Sequence, residues 1–376
     1  MDTSTTPMHP AAAAAVPADA AGVAAPADAE GVPDHRHLAP AGWPDPERHR
    51  LPSGLSASSL NSYLACERRW AFDRWDDTVP VVPHPAAITG THVHAVLEAL
   101  FALPPAERTR ERALALHEAL VDATCAAAAA LSLDEDGQPT LPEDTDPHLV
   151  RVVVECVLAG LDPADLREAA MAGVTGYFDM GGDPSRVDVV DVEAVLEATW
   201  STPHGDVPVR GVVDRLDRMP DGRVRVVDYK NGRAPDPRFP SEEYARQVRF
   251  YAGLHRAATG ELPSSGLLLY VAARTPWPVG VDEPSVDAVA DEVGRVWTDI
   301  AAKHETFGYE PGVTALCGWC PFLSMCPEGE ADVRRRAAEG RLREHAPAWE
   351  LLEDLEGPPP MAPPVAPPMD GLVDAR

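Results

Sequence analysis

Asp214, Asp228 and Lys230 stand in the stretch GVVDRLDRMPDGRVRVVDYKNG, which runs from Gly211 to Gly232. Carboxylates with no apolar purpose at adjacent strand ends are hard oxygen ligands suited to Mg2+ or Mn2+. The short turn PDG between two hydrophobic runs predicts a hairpin, and strand pairing then brings the two aspartates together. With a side-chain period of two, Asp228 and Lys230 share one face of their strand. The lysine stands out because the chain has only two, Lys230 and Lys303, and writes arginine at its other basic positions. An ammonium is a compact donor whose pKa can fall beside a metal, so it can position and deprotonate a water. A planar guanidinium that stays charged cannot do so in the same way. Taken alone, Asp-x-Lys is a common tripeptide, and a solvated hairpin end explains it better.

A second reactive group is CGWCPFLSMC, where Cys317, Cys320 and Cys326 give C-x2-C-x5-C with proline after Cys320 and after Cys326. In an intracellular chain such crowding points to metal binding rather than to disulfides. Three thiolates need a fourth ligand. Thiolate tetrads hold either zinc or a 4Fe–4S cluster, and spacing alone does not separate the two. Cys125, beside a run of alanines, and Cys156, in VVVECVLAG, read as small core residues.

These groups need a frame to position them. LSASSLNSYLACERRWAFDRW predicts one helix over about 58–75, AAITGTHVHAVLEALFAL a second and 107–131 a third, with further helical segments over 151–159 and 166–180. Near Val187 the pattern turns to β. VDVVDVEAVLEATW, VPVRGVVDRLDRM and RVRVVDY predict three strands, the last two forming the hairpin. An amphipathic helix over 242–258, a buried strand in GLLLYVA and a closing helix over 286–304 follow. That order predicts an α/β core with a mixed central sheet flanked by helices, a helical N-terminal region and a cysteine-bearing C-terminal segment.

Composition sets the outer limits. A chain of 376 residues can bury a full-sized core. Residues 1–52, rich in Ala, Pro, Asp and Gly, are expected to be unpacked, and 331–376 to form an Arg-rich helix and a Pro-rich tail. One folded domain over 53–330 remains. No basic n-region precedes the Ala-rich start and no apolar run reaches spanning length, which predicts a soluble, cytoplasmic protein with no membrane partner. The formal charge of −28 by itself argues against nucleic acid as a partner. A phosphate backbone, however, meets a local face, and Arg246, Arg249 and Arg256, with Arg233 and Arg238, are candidates for one. No G-x-x-x-x-G-K-S/T loop is present, so no ATP motor is legible.

Taken together, GTHVHAVLE, GVVDRLD, VVDYK and QVRFYAGL, in that order, resemble the PD-(D/E)XK nuclease superfamily, and within it the RecB-like exonucleases that carry a cysteine cluster. The resemblance covers about 55–327 and implies a restriction-endonuclease-like core. It places metal ligation on His94, Asp214 and Asp228 and catalysis on these with Lys230, Gln247 and Tyr251. It also supplies Cys66, in SYLACERRW, as the fourth ligand beside Cys317, Cys320 and Cys326, and favours a 4Fe–4S cluster over Zn2+. The turn DYKNG departs from the family's usual Lys-Thr-Gly, which alters the turn and should leave the ligands in place. Glu98, one turn after His94, is a candidate to orient it, and Asp217 reads as a surface residue.

The implied activity is metal-dependent phosphodiester hydrolysis by a DNA exonuclease in repair, recombination or CRISPR-adaptation-like processing. Its substrate is single-stranded DNA or DNA with free ends, with a helicase as a possible partner for unwinding. The rival is a non-catalytic DNA-binding scaffold that keeps the fold and cluster; Asp214, Asp228 and Lys230 count against it. A redox or zinc module unrelated to DNA explains the cysteines and leaves the carboxylate–lysine series as coincidence.

Overall fold

The computed structural model describes residues 32–79, 81–133, 139–238 and 241–352. Helices α1 (Ala57–Ala65) and α2 (Glu67–Trp75) stand where the sequence predicts one helix. Cys66 divides them. Its backbone is extended, with φ −166° and ψ 105°, and its sulfur accepts the Arg69 N–H as an N-cap. Helices α3 (Pro85–Ala102) and α4 (Arg110–Ala129) follow, then a two-stranded ribbon of β1 (Ser132–Leu133) and β2 (Pro139–Thr140). Helices α5 (Pro147–Ala159), α6 (Leu166–Ala169) and α7 (Met171–Asp179) complete the first half.

The central sheet has strands β3 (Val189–Thr202), β4 (Gly205–Arg218), β5 (Val224–Lys230), β6 (Ser265–Tyr270) and β7 (Thr275–Val279), ordered β3-β4-β5-β6-β7. Every neighbouring pair is antiparallel except β5–β6, which is parallel. A parallel pair needs a crossover, and α8 (Glu242–Thr259) supplies it. The mixed α/β architecture is thus the one predicted. Strand β7 is an addition, because TPWPV carries two prolines that argue against a strand. At the sheet's edge, as here, proline is tolerated. Helices α9 (Glu283–His304) and α10 (Pro327–Ala338) close the chain's described course.

Alternation along β5 divides the core in two. Val224 and Val226 join Phe250, Leu254, Val286, Val293, Trp70 and Trp75, beneath α8, α9, α1 and α2. Val227 and Tyr229 join Val93, Leu97, Phe101, Val174 and Tyr177, beneath α3 and α7. Each such large side chain contributes about 1.5–3 kcal/mol on burial. Asp228 therefore falls on the α8 face. At Gly253 of α8 an added Cβ would lie 2.5 Å from the Trp200 ring, so the missing side chain lets α8 lie flush against β3.

The expectation that 1–52 is unpacked does not hold for 32–52. Trp43 packs on Trp75, His304 and Phe307, and its indole N–H donates to the His304 carbonyl at 3.0 Å. A single tryptophan can anchor a segment whose average composition is poor in apolar residues. Residues 1–31 and 353–376, the rest of the expected unpacked ends, lie outside the described residues. At the other end, Leu342, Ala346, Ala348 and Leu352 pack on Leu323 and Val333, so the chain beyond α10 folds back on the cysteine segment.

Candidate active site

The ladder between β4 and β5 covers only Arg215–Arg218 against Val224–Val227, and it stops where Asp214 and Asp228 would face each other. There the Tyr229 N–H donates to Asp214 Oδ2 at 2.6 Å instead of to backbone. Strand β5 continues with β6 alone, up to Lys230 opposite Tyr270. Both aspartates therefore sit at a fork in the sheet. Helix α3 brings His94 to it: Nε2 donates to the Tyr229 carbonyl at 3.0 Å and Nδ1 lies 3.5 Å from Asp214 Oδ1.

Glu193 of β3 completes the group. It lies between the paired residues Val192–Arg215 and Ala194–Val213, so it faces Asp214 across the ladder. Ligand atoms of His94, Glu193 and Asp214 all lie within 4.8 Å of one another, the sole such His, Cys, Asp or Glu set among the described residues. Its backbone is left-handed, with φ 46°, unusual for a glutamate within a strand. The sequence reading missed it. VDVVDVEAVLEATW offers several acids, and only the register with β4 singles out Glu193.

Asp228 is 1% exposed and faces Lys230, with Nζ 2.8 Å from Oδ2. Lys230 also donates to Gln247 Oε1 at 2.9 Å, and Gln247 Nε2 donates to the Tyr251 hydroxyl at 3.1 Å. Gln247 and Tyr251, one turn apart on α8, thus reach the site through the lysine, which also rides 4.7 Å above the Tyr244 ring. Burial, then the Asp214 charge, pushes the Asp228 carboxyl up to about 6 against the pull of Lys230. Burial, then Asp214 and Glu98, pushes Glu193 up to about 7. For His94, burial disfavours the imidazolium, but Asp214 and Asp228 outweigh it and the net shift is upward. Crowded carboxylates of this kind suit a cation, which would relieve their repulsion.

Asp217 is a correction. Expected at the surface, it is 1% exposed and accepts Arg215 Nε at 2.7 Å and Arg225 Nη2 at 2.8 Å. Arg215, buried 4.0 Å above the Phe101 ring, also donates to the Tyr229 hydroxyl. The pair braces Tyr229 from behind, and the Tyr229 backbone in turn holds Asp214 and His94. Glu98 lines the cleft, but among the described residues no hydrogen bond joins it to His94. His92 points away, buried against His117 at 2.9 Å.

The proposed arginine face is largely neutralised. Arg246 meets Glu292 at 2.7 Å, Arg249 meets Glu242 at 3.8 Å, Arg256 meets Glu283 and Asp287, and Arg238 meets Asp236 at 2.7 Å. Arg233 alone of that set lines the cleft at the fork, a cavity of about 520 Å3.

Cys66, Cys317, Cys320 and Cys326 line one small cavity with Arg68 and Phe72. None forms a disulfide. Backbone N–H groups of Arg69 and Gly312 donate to Cys66 Sγ at 3.4 and 3.2 Å, and that of Thr314 to Cys317 Sγ at 3.4 Å. Such donors favour sulfur carrying negative charge, whereas burial pushes the metal-free Cys320 thiol up to about 11. The donor set fits a thiolate-bound metal centre. Cys125 and Cys156 lie apart, in the cluster around Ile88 and Val121.

The five-stranded mixed sheet flanked by helices defines an α/β protein with a restriction-endonuclease-like core, and a histidine–carboxylate group with a lysine stands at its fork. The chain belongs to the PD-(D/E)XK nuclease superfamily, whose model matches residues 54–327. Matching solved structures include the crystal structure of SSO0001, 12% identical, with a TM-score of 0.30 over 65% of this chain and 95% of that one. No curated protein matches. No helix among the described residues is long and apolar enough to cross a membrane.

Proposed function

We propose that the chain is a divalent-metal-dependent deoxyribonuclease of the RecB-like group, acting as an exonuclease on single-stranded DNA or on free ends. The observation that carries this reading is the convergence of His94, Glu193, Asp214, Asp228 and Lys230 at one fork of the sheet, in an open cleft. His94, Asp214 and Asp228, with Glu193, would hold Mg2+ or Mn2+, which when bound would polarise the phosphodiester and acidify a water. Lys230, held by Asp228 and Gln247, orients the attacking water and steadies charge developing on the phosphate. Tyr251 fixes the Gln247 amide so that its oxygen faces the lysine.

The four cysteines are assigned a 4Fe–4S cluster that ties α2 to the C-terminal segment. Thiolate tetrads hold either zinc or a 4Fe–4S cluster, and the resemblance to the cysteine-bearing nucleases favours the cluster. In this reading the protein serves repair, recombination or CRISPR-adaptation-like processing, with a helicase supplying any unwinding.

The test is digestion of end-labelled single- and double-stranded DNA in Mg2+, Mn2+ or EDTA, for the wild type and Lys230→Arg. Cleavage in metal alone, lost in the arginine variant at unchanged melting temperature, is the expected result. Equal activity in EDTA would remove the metal mechanism, and a fully active Lys230→Arg would reduce the lysine to a bare charge.

A further inference from the structure

We propose that Arg151 of α5 and Arg233, just beyond β5, form a phosphate rail along the cleft, gripping the nucleic-acid backbone beside the phosphate that is cut. The proposal rests on the nuclease reading and says where the strand runs. Both arginines line the same cavity as His94, Glu193 and Lys230. They come from different elements: Arg151 from α5, which packs on α3, and Arg233 from just beyond the Lys230 strand end. Arg151 is exposed, and among the described residues its one ion pair is with the half-buried Glu155 one turn away, at 2.9 Å, a weak surface pair that a phosphate can displace. The α8 arginines, by contrast, are committed to carboxylates.

The lining of the same cleft is polar beyond its charges. Buried polar side-chain atoms normally find a partner. Three that do not, His148 Nε2, Asn231 Oδ1 and Tyr270 Oη, belong to residues lining this cavity. All three atoms are buried, and Asn231 Oδ1 lies on the Gly173 side, so they make the wall behind the arginines polar rather than touch the strand. The rail also explains how a chain of net charge −28 takes a polyanion: few cations serve, and they stand at the site.

The test is the salt dependence of binding of a fluorescein-labelled single-stranded oligonucleotide, read by anisotropy in Ca2+ as a non-turnover cation. Each phosphate contact on a single strand contributes about 0.7 to the slope of log K against log salt. Arg151→Ala with Arg233→Ala should therefore lower the slope by about 1.4. The wild-type advantage should then shrink about sevenfold between 50 and 200 mM salt. The control is Arg295→Ala, which removes an equally exposed arginine with its own i,i+4 carboxylate, on α9 outside this cavity. It should leave the slope unchanged. A wild-type slope in the double variant, or an equal fall in the control, would overturn the rail while leaving the nuclease reading intact. No binding of any oligonucleotide by the wild type would overturn both.

Discussion

Asp228→Asn should stabilise the metal-free protein, and by an amount that grows with pH. Asp228 is 1% exposed, beside Asp214, and its carboxyl is pushed from 3.8 up to about 6. At 1.36 kcal/mol for each pH unit, holding it ionised in the fold costs about 3 kcal/mol. The sign follows from proton binding. Between about pH 4 and 6 the native state binds the proton more tightly than the unfolded chain, so wild-type stability falls as pH rises through that window. Above it the full cost is present; below it the cost vanishes. Asparagine keeps an oxygen for Lys230 and carries no charge. The melting temperature of Asp228→Asn should therefore match the wild type near pH 4 and exceed it by about 6 °C at pH 8, taking about 2 °C per kcal/mol for a chain of this size. Saturating Mn2+ should reverse the order, because the wild type binds the metal with one more carboxylate than the variant. Differential scanning calorimetry in EDTA and in Mn2+ makes both comparisons. A variant less stable than the wild type by the same amount at pH 5 and pH 8 would refute the reasoning, since it would mean that Lys230 already compensates the buried charge.

Glu193→Gln should weaken Mn2+ binding by more than the roughly 10–100-fold that loss of an outer hydrogen-bonding partner costs, measured by titration calorimetry. Unchanged affinity would remove Glu193 from the ligand set. At Gly312 an added Cβ would lie 2.1 Å from the Ala65 carbonyl oxygen, so Gly312→Ala should displace the Cys66 turn and bleach the cluster's absorption without touching a thiol. Cys66→Ala should do the same, whereas Cys156→Ala should keep its full iron and lose only packing, about 1 kcal/mol. Stoichiometric zinc without iron in anaerobic preparations would replace the cluster with the metal that spacing alone left open.

Chemistry was legible in the sequence wherever it follows a short local rule. The turn PDG and the period-two pattern place Asp228 and Lys230 on one strand face, and the i,i+4 spacing puts Gln247 and Tyr251 on one side of a helix. The mixed sheet is likewise implied by the order of periodic segments. What escaped depends on contacts between distant segments. Glu193 looks like any acid of an alternating strand until the β3–β4 register sets it opposite Asp214. Asp217, ion-paired within its own hairpin to Arg215 and Arg225, looks solvated until packing buries that pair. The arginines of α8 look free until the acids of α9 arrive beside them.

The sequence by itself determined the donor types, their order and the elements that carry them, because helix and strand periods act over a few residues. Tertiary structure alone decided which charges meet. Three-dimensional packing brings Cys66 to the cavity of Cys317, Cys320 and Cys326, and His94 to a carbonyl of β5. Electrostatic energy depends on distance and burial rather than on separation along the chain, so which carboxylates crowd together and which arginines are spent on neighbours is written only in the fold.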